Sequence, residues 1–236
     1  MAVADPSPES GLDFGTGKGV LLVSGGPDSA TLAYWAKEMG FDVCAIHFKQ
    51  GLKTDRQELL AAETLSTGLG MPFEVFDISQ MIGILGGKRA MIHSEVAALR
   101  FGTAMCLSPA VIFANEWGAD RVLLALHAED SLEGPEYRRH FLDPFEQSAR
   151  AALSSDMRIL TPFLEISKSE VLKIGVNLGV QYQLTWSCIN GDVVHCGLCG
   201  ACRARQRAFA TAALQDPTEY GETLFAESAA HGSGEG

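Results

Sequence analysis

At 236 residues, with 47% apolar and 20% charged side chains, the chain can build one sizeable core and is too apolar for a disordered class. Its formal net charge of −11 repels a polyanion, which disfavours nucleic acid as a partner; any anion would have to find a local basic patch such as Arg138 and Arg139, or Arg203 to Arg207. No apolar run reaches the roughly 18 residues of a membrane helix, and the opening MAVADPSPESG lacks the pattern of a signal peptide, so a cytoplasmic protein is expected, whose six cysteines suit metal better than disulfides.

Residues 1–16, rich in Pro, Ser and Gly, read as a flexible arm. GVLLV (19–23) reads as a buried strand and SATLAYWAKEMG as a helix ending at Gly40. DVCAIHF (42–48) is a second strand, DRQELLAAETLSTGLG a helix ending at Gly70, and PFEVFDI (72–78) a third strand. An apolar helix over 104–117 leads to a fourth strand, DRVLLAL (120–126), and RILTPF (158–163) is a fifth. SKSEVLKIGVNLG is a helix whose Ser167 and Glu170 match a capping box. Strand and helix alternating in this way predict an α/β fold with a mostly parallel, Rossmann-like sheet covered by helices on both faces. Expected boundaries are 17–184 for the nucleotide-binding domain, 185–215 for a cysteine-bearing segment with a helix, and 216–236 for a tail with a disordered end.

The first strand runs straight into Ser24-Gly25-Gly26-Pro27-Asp28-Ser29, and a helix starts there. Glycines let the backbone turn tightly against an anion, and the free N–H groups of a helix start hold phosphate oxygens. Ser24 and Ser29 add hydroxyl donors, and Asp28 suits a magnesium ion. A Walker-type loop is disfavoured, since Gly17-Lys18 is followed by Gly19.

Cys188, Cys196, Cys199 and Cys202 follow the pattern C-x7-C-x2-C-x2-C in a glycine-rich stretch. Four soft thiolates so close together suit tetrahedral, structural zinc, and an iron–sulfur cluster is compatible with the spacing alone. His195 is a spare ligand outranked by the four thiols. Cys44 and Cys106 lie in apolar segments as core residues.

S-G-G-x-D-S resembles the loop of the PP-loop enzymes, which cleave ATP between the α- and β-phosphates. Together with HAEDSLEGPEYRRHF (127–141), TPFLEISKSEVLKIGVNLGV (161–180) and LTWSCINGDVVHCGLCGACRARQRAF (184–209), it makes the chain resemble the 7-cyano-7-deazaguanine synthase family of queuosine biosynthesis. The resemblance implies an adenine nucleotide alpha hydrolase-like fold and a homodimer. It also implies ATP-dependent adenylation of the carboxylate of 7-carboxy-7-deazaguanine, with ammonia giving the amide and then the nitrile. ATP with magnesium and a zinc ion held by the four cysteines are the implied cofactors. Lys168 matches a family lysine suited to the α-phosphate, and Asp28 joins it as a catalytic candidate. Glu129, Asp130, Glu136 and Arg138 are the candidate substrate-binding residues, a carboxylate being a fit acceptor for the N–H face of a guanine-like ring.

The pocket segments depart from the family. Gln50-Gly51-Leu52-Lys53-Thr54 stands where the family has Tyr-Gly-Gln and His, and Arg100-Phe101-Gly102-Thr103 stands where it has Pro-Gly-Arg-Asn. Gly134 to His140 replace a Tyr-Pro-Asp-Cys-Arg-Pro-Glu pattern, with Arg138 retained and Glu136 in place of an aspartate. Three other readings follow from this. The first is a ligase that joins the deazaguanine acid to an amine of a larger partner, including a protein, in a defence or secondary-metabolite system. The second is an ATP-sensing zinc module without catalysis. The third is a sulfur-transfer relative, for which Cys44 and Cys106 are the free thiols.

Overall fold

The computed structural model describes residues 16–86, 102–190 and 193–221. Five strands, β1 (Lys18–Leu22), β2 (Asp42–Lys49), β3 (Phe73–Asp77), β4 (Arg121–Leu123) and β5 (Arg158–Leu160), pair in parallel in the order β3-β2-β1-β4-β5. Chain order reverses direction between β1 and β4, so the crevice beyond their C-terminal ends is where a ligand belongs in such a sheet.

The helices are α1 (Pro27–Glu38), α2 (Asp55–Gly68), α3 (Ser79–Gly86), α4 (Gly102–Trp117), α5 (Asp130–Glu133), α6 (Arg139–Leu153), α7 (Lys168–Asn177) and α8 (Gly200–Ala212). Alternate strand residues point to opposite faces. Leu21, Val43, Ala45, Leu123 and Leu160 pack with Leu32, Trp35 and Val171 on the α1/α7 side. Val20, Ile46, Val122 and Ile159 pack with Leu107, Ala114 and Leu142 on the α4/α6 side. The sheet is therefore covered on both faces, as the apolar strands require.

The strands and helices fall close to their expected places, with the fourth strand shortened to Arg121–Leu123 and the fifth to Arg158–Leu160. Helix α6 was not among the expected elements, and it carries Pro144 in its interior. The helix accommodates Pro144, and Phe141, Leu142, Phe145, Ala149 and Leu153 bury its apolar face. Arg205, grouped above with a basic patch, is instead 1% exposed and points inward. The arm up to residue 15 and the tail from 222 lie outside the described residues, as do Arg100 and Phe101. Residues 216–221 are held down: Asp216 pairs with Arg205, and the Gly221 N–H donates to the His195 carbonyl at 2.7 Å.

Candidate active site

Ser24 leaves β1 and the chain turns at Gly25, whose φ of +87° is a left-handed conformation glycine adopts without strain. A Cβ at Gly25 would lie 2.5 Å from the Glu58 carbonyl, so only glycine lets the loop pass so close to α2. Gly26 caps α1 without a side chain of its own, which leaves the first N–H groups of the helix turned outward. Ser24 Oγ accepts from the Gly26 N–H at 3.2 Å and lies 3.1 Å from Ser29 Oγ. Ser24, Gly25, Gly26, Asp28 and Ser29 thus form one cradle of N–H groups and hydroxyls with the chemistry an anion requires.

Lys168 opens α7 behind the capping box, in which Ser167 Oγ accepts from the Glu170 N–H and the Glu170 carboxylate accepts from the Ser167 N–H at 2.7 Å. The cap fixes where the helix starts, and Lys168 Nζ reaches Asp28 Oδ2 at 2.6 Å. Its backbone N–H donates to Glu129 Oε2 at 2.9 Å. Burial works to lower the Lys168 pKa, but the Asp28 carboxylate, with Asp130 behind it, outweighs burial and raises it above the ordinary lysine value. The lysine is therefore a fixed cation at the phosphate loop.

His127 and Asp130 follow β4. The Asp130 carboxylate accepts the His127 backbone N–H at 2.9 Å, and His127 Nδ1 lies 3.1 Å from Glu129 Oε2. Burial raises the pKa of Asp130 against the pull of His127. Asp28 Oδ1 is buried without a hydrogen-bond partner, an open oxygen suited to a hard cation. Glu136 and Arg138 lie apart from this cluster: Glu136 Oε2 accepts the Thr103 N–H at the start of α4 at 2.7 Å, and Arg138 Nε donates to the Ser131 carbonyl at 2.6 Å.

Two cavities meet at the loop. A cleft of about 660 Å³ is lined by Ser24, Asp28, Glu129, Asp130 and Lys168 and extends along α8. A narrower slot of about 320 Å³ lies over the strand ends between Leu22, Phe48, Cys106 and Leu126. In the slot His47 Nδ1–H donates to the Val23 carbonyl at 2.8 Å. His47 and His127 were missed from sequence, although each sits at the C-terminal end of a strand, where ligands gather in this kind of sheet.

The four cysteine Sγ atoms all lie within 4.8 Å of one another. Tetrahedral coordination at a metal–sulfur distance of about 2.3 Å separates thiolates by about 3.8 Å, so the set fits a single ion. A four-iron cluster seats each thiolate on its own iron and needs them further apart. N–H groups of Cys196, Cys199 and Cys202 point at Cys188, Cys196 and Cys199 sulfurs at 3.3–3.4 Å, an arrangement that would support thiolates on a bound ion. His195 is not among the four: its Nε2 accepts the Ser187 N–H at 3.0 Å and its ring packs on Trp186. Burial, with the Arg205 charge, lowers its pKa to about 4 and keeps it neutral. The cysteine segment is tied to the phosphate loop, since the Trp186 N–H donates to the Gly25 carbonyl at 2.8 Å. Arg205 was also missed as a structural residue. It holds Asp216 through Nε, Thr185 Oγ1 at 2.7 Å through Nη1 and the Tyr182 carbonyl at 2.9 Å through Nη2.

A parallel sheet whose first strand feeds this cradle, with a lysine fixed against its aspartate, defines an ATP-utilising protein of the PP-loop class. The family described as "Queuosine biosynthesis protein QueC" matches residues 18–213, and the chain belongs to that family. The 7-cyano-7-deazaguanine synthase of Methanospirillum hungatei is 34% identical over 218 residues, covering 86% of this chain and 99% of the relative. The enzyme of the same name from Methanosphaerula palustris is 34% identical over 222 residues, covering 87% and 100%. Among solved structures, a U34-tRNA thiolase from Methanococcus maripaludis with its 4Fe-4S cluster shares the fold at a TM-score of 0.53 and 15% identity, covering 83% of this chain and 67% of its own.

Proposed function

We propose that the protein adenylates the carboxylate of 7-carboxy-7-deazaguanine with ATP and passes the acyl group to ammonia. A carboxylate resists amines because oxide is a poor leaving group. Its oxygen attacks the α-phosphorus of ATP, the bond to the β-phosphate breaks, and pyrophosphate leaves. Ammonia then displaces AMP from the acyl adenylate and gives the amide, with loss of one proton. Adenylation of the amide oxygen, followed by loss of AMP and the remaining N–H protons, gives the nitrile.

The observation that carries this reading is Lys168, held 2.6 Å from Asp28 at the mouth of the phosphate cradle. Charge building on the α-phosphate in the transition state meets a cation already in place, together with the N–H groups of the α1 start. Magnesium, when bound with ATP, would neutralise phosphate charge, and Asp28 Oδ1 is the open oxygen for it. Glu129 and Asp130 face the same cleft as acceptors for ring N–H groups of the acid, whereas Glu136 and Arg138, held to Thr103 and Ser131, do not line it. Zinc on Cys188, Cys196, Cys199 and Cys202 is structural in this reading, because thiolates fill all four positions. A sulfur-transfer role is disfavoured, because burial pushes the Cys106 thiol up to about 11, and burial with nearby Glu74 and Asp42 does the same to Cys44. A homodimer belongs to the same reading and is checked by light scattering.

The test combines protein, ATP, magnesium and 7-carboxy-7-deazaguanine, with and without ammonium, and follows products by mass spectrometry. AMP, pyrophosphate and nitrile support the reading, and tight ATP binding without pyrophosphate release overturns it in favour of an ATP sensor. A second reading, transfer to an amine of a larger partner, is favoured by the cleft. Among the described residues it runs past the loop to Thr211 along α8 and opens to solvent, so an amine carried on a larger body can reach it. Adenylate that accumulates with ammonium and is consumed by a peptide amine is its signature.

A further inference from the structure

The cleft must accept two anions, the phosphates of ATP and the carboxylate of the acid, yet its described lining carries five carboxylates: Asp28, Glu58, Glu129, Asp130 and Glu133. Lys168 pairs with Asp28 and, in the reading above, serves the α-phosphate, which leaves the second anion without it. Arg205 is 1% exposed and committed to Asp216, outside the cleft. Arg207 is different. It lines the cleft and is exposed, and no described residue pairs with its guanidinium. Ala201, Ala204, Ala208 and Thr211 recur at three- and four-residue spacing on α8 and form the adjoining wall, so short side chains leave the fork room to turn into the cleft.

We propose that Arg207 is a substrate-binding residue, whose guanidinium takes a two-oxygen anion in the cleft as a bidentate partner. The proposal rests on the adenylation reading above. A planar fork matches the paired oxygens of a carboxylate or of a phosphate, which a lysine ammonium does not. In a cleft so acidic, a free cation at the α8 wall offsets the repulsion an incoming anion meets, and it does so for whichever anion seats against α8.

The experiment uses the full chain, as wild type, Arg207→Gln and Arg207→Lys, with zinc content and melting temperature measured for each. Steady-state KM is determined separately for ATP and for 7-carboxy-7-deazaguanine in pyrophosphate release. A charge-assisted bidentate contact predicts that Arg207→Gln raises one KM by about 10- to 100-fold while kcat falls much less. Arg207→Lys should recover part of the loss. A rise confined to the acid assigns its carboxylate, and a rise confined to ATP assigns a phosphate. Both KM values within about twofold of wild type in a normally melting Arg207→Gln protein overturn the proposal and leave a solvated surface arginine. A wild type that releases no pyrophosphate with this acid overturns the underlying reading instead. In that case, unchanged ATP affinity in Arg207→Gln by calorimetry, with the acid shown not to bind, overturns the proposal as well.

Discussion

Replacing Arg205 with methionine keeps most of its volume and removes its charge and donors. In the wild type Asp216 is 11% exposed and receives Arg205 Nε at 3.2 and 3.3 Å, while the two terminal nitrogens donate to Thr185 Oγ1 and to the Tyr182 carbonyl, which also accepts from Thr185. The variant leaves a largely buried carboxylate without its cation, while the Tyr182 carbonyl keeps the Thr185 N–H and hydroxyl as donors; breaking the buried pair costs about 3–5 kcal/mol. For a chain of this size each kcal/mol lowers the melting temperature by roughly 2–4 °C, so a fall of about 6–20 °C is expected. Differential scanning fluorimetry reads the shift, and metal analysis of the same samples reads whether the cysteine segment, joined to Arg205 through Ser187 Oγ at 3.4 Å, still holds its ion. Arg205→Met with Asp216→Asn should regain part of the loss, because the uncompensated charge is gone. A single variant that melts within about 3 °C of wild type, or a double variant no better than the single, refutes the reasoning.

Asp216 also gives a pH dependence. Burial raises its carboxyl, but the Tyr220 hydrogen bond and the Arg205 charge outweigh burial and hold its pKa below the ordinary value. A depressed folded pKa contributes stability that is complete above the unfolded value of about 4 and is lost as pH falls below it, so acid titration of the melt should be less steep in Asp216→Asn. Lys168→Gln removes the cation at the cradle and should slow ATP–pyrophosphate exchange by about 10²–10³-fold, with the melting temperature shifting far less than for Arg205→Met. Gly25→Ala drives a Cβ against the Glu58 carbonyl from a left-handed backbone. It should cost about 1–3 kcal/mol and weaken ATP binding, read by thermal melting and calorimetry. Mass spectrometry of the native protein should find one zinc per chain and no iron, and its removal by chelator should lower the melting temperature and expose four titratable thiols beyond Cys44 and Cys106.

Much of the site was legible because its signals are local. The strand-to-helix turn at Ser24–Ser29, the capping box at Ser167 and Glu170, and the cysteine spacing are each complete within a few residues, and the backbone realises them as read. Interactions between distant segments were not legible. Nothing near Arg205 says that Tyr182, Thr185 and Asp216 will converge on it, and nothing near Glu136 says that Thr103 will take its carboxylate. The apolar stripe of α6 at Phe141, Phe145 and Ala149 has helical spacing, yet no element was assigned to it, and Pro144 lies inside the helix.

Tyr182 stands where three elements meet. Its hydroxyl bonds Thr31 of α1 at 2.8 Å and the Leu172 carbonyl of α7 at 3.2 Å, and its ring meets Phe209 of α8 edge-on. A methyl group on Gly175 would overlap that hydroxyl, so α7 can sit this close only as glycine permits. The helix that bears the phosphate cradle, the helix that bears Lys168 and the helix that closes the metal segment are thereby bolted into one block. In the adenylation proposed above, Lys168 and the Ser24–Ser29 turn therefore keep one separation, because the helices that carry them are tied through a single hydroxyl.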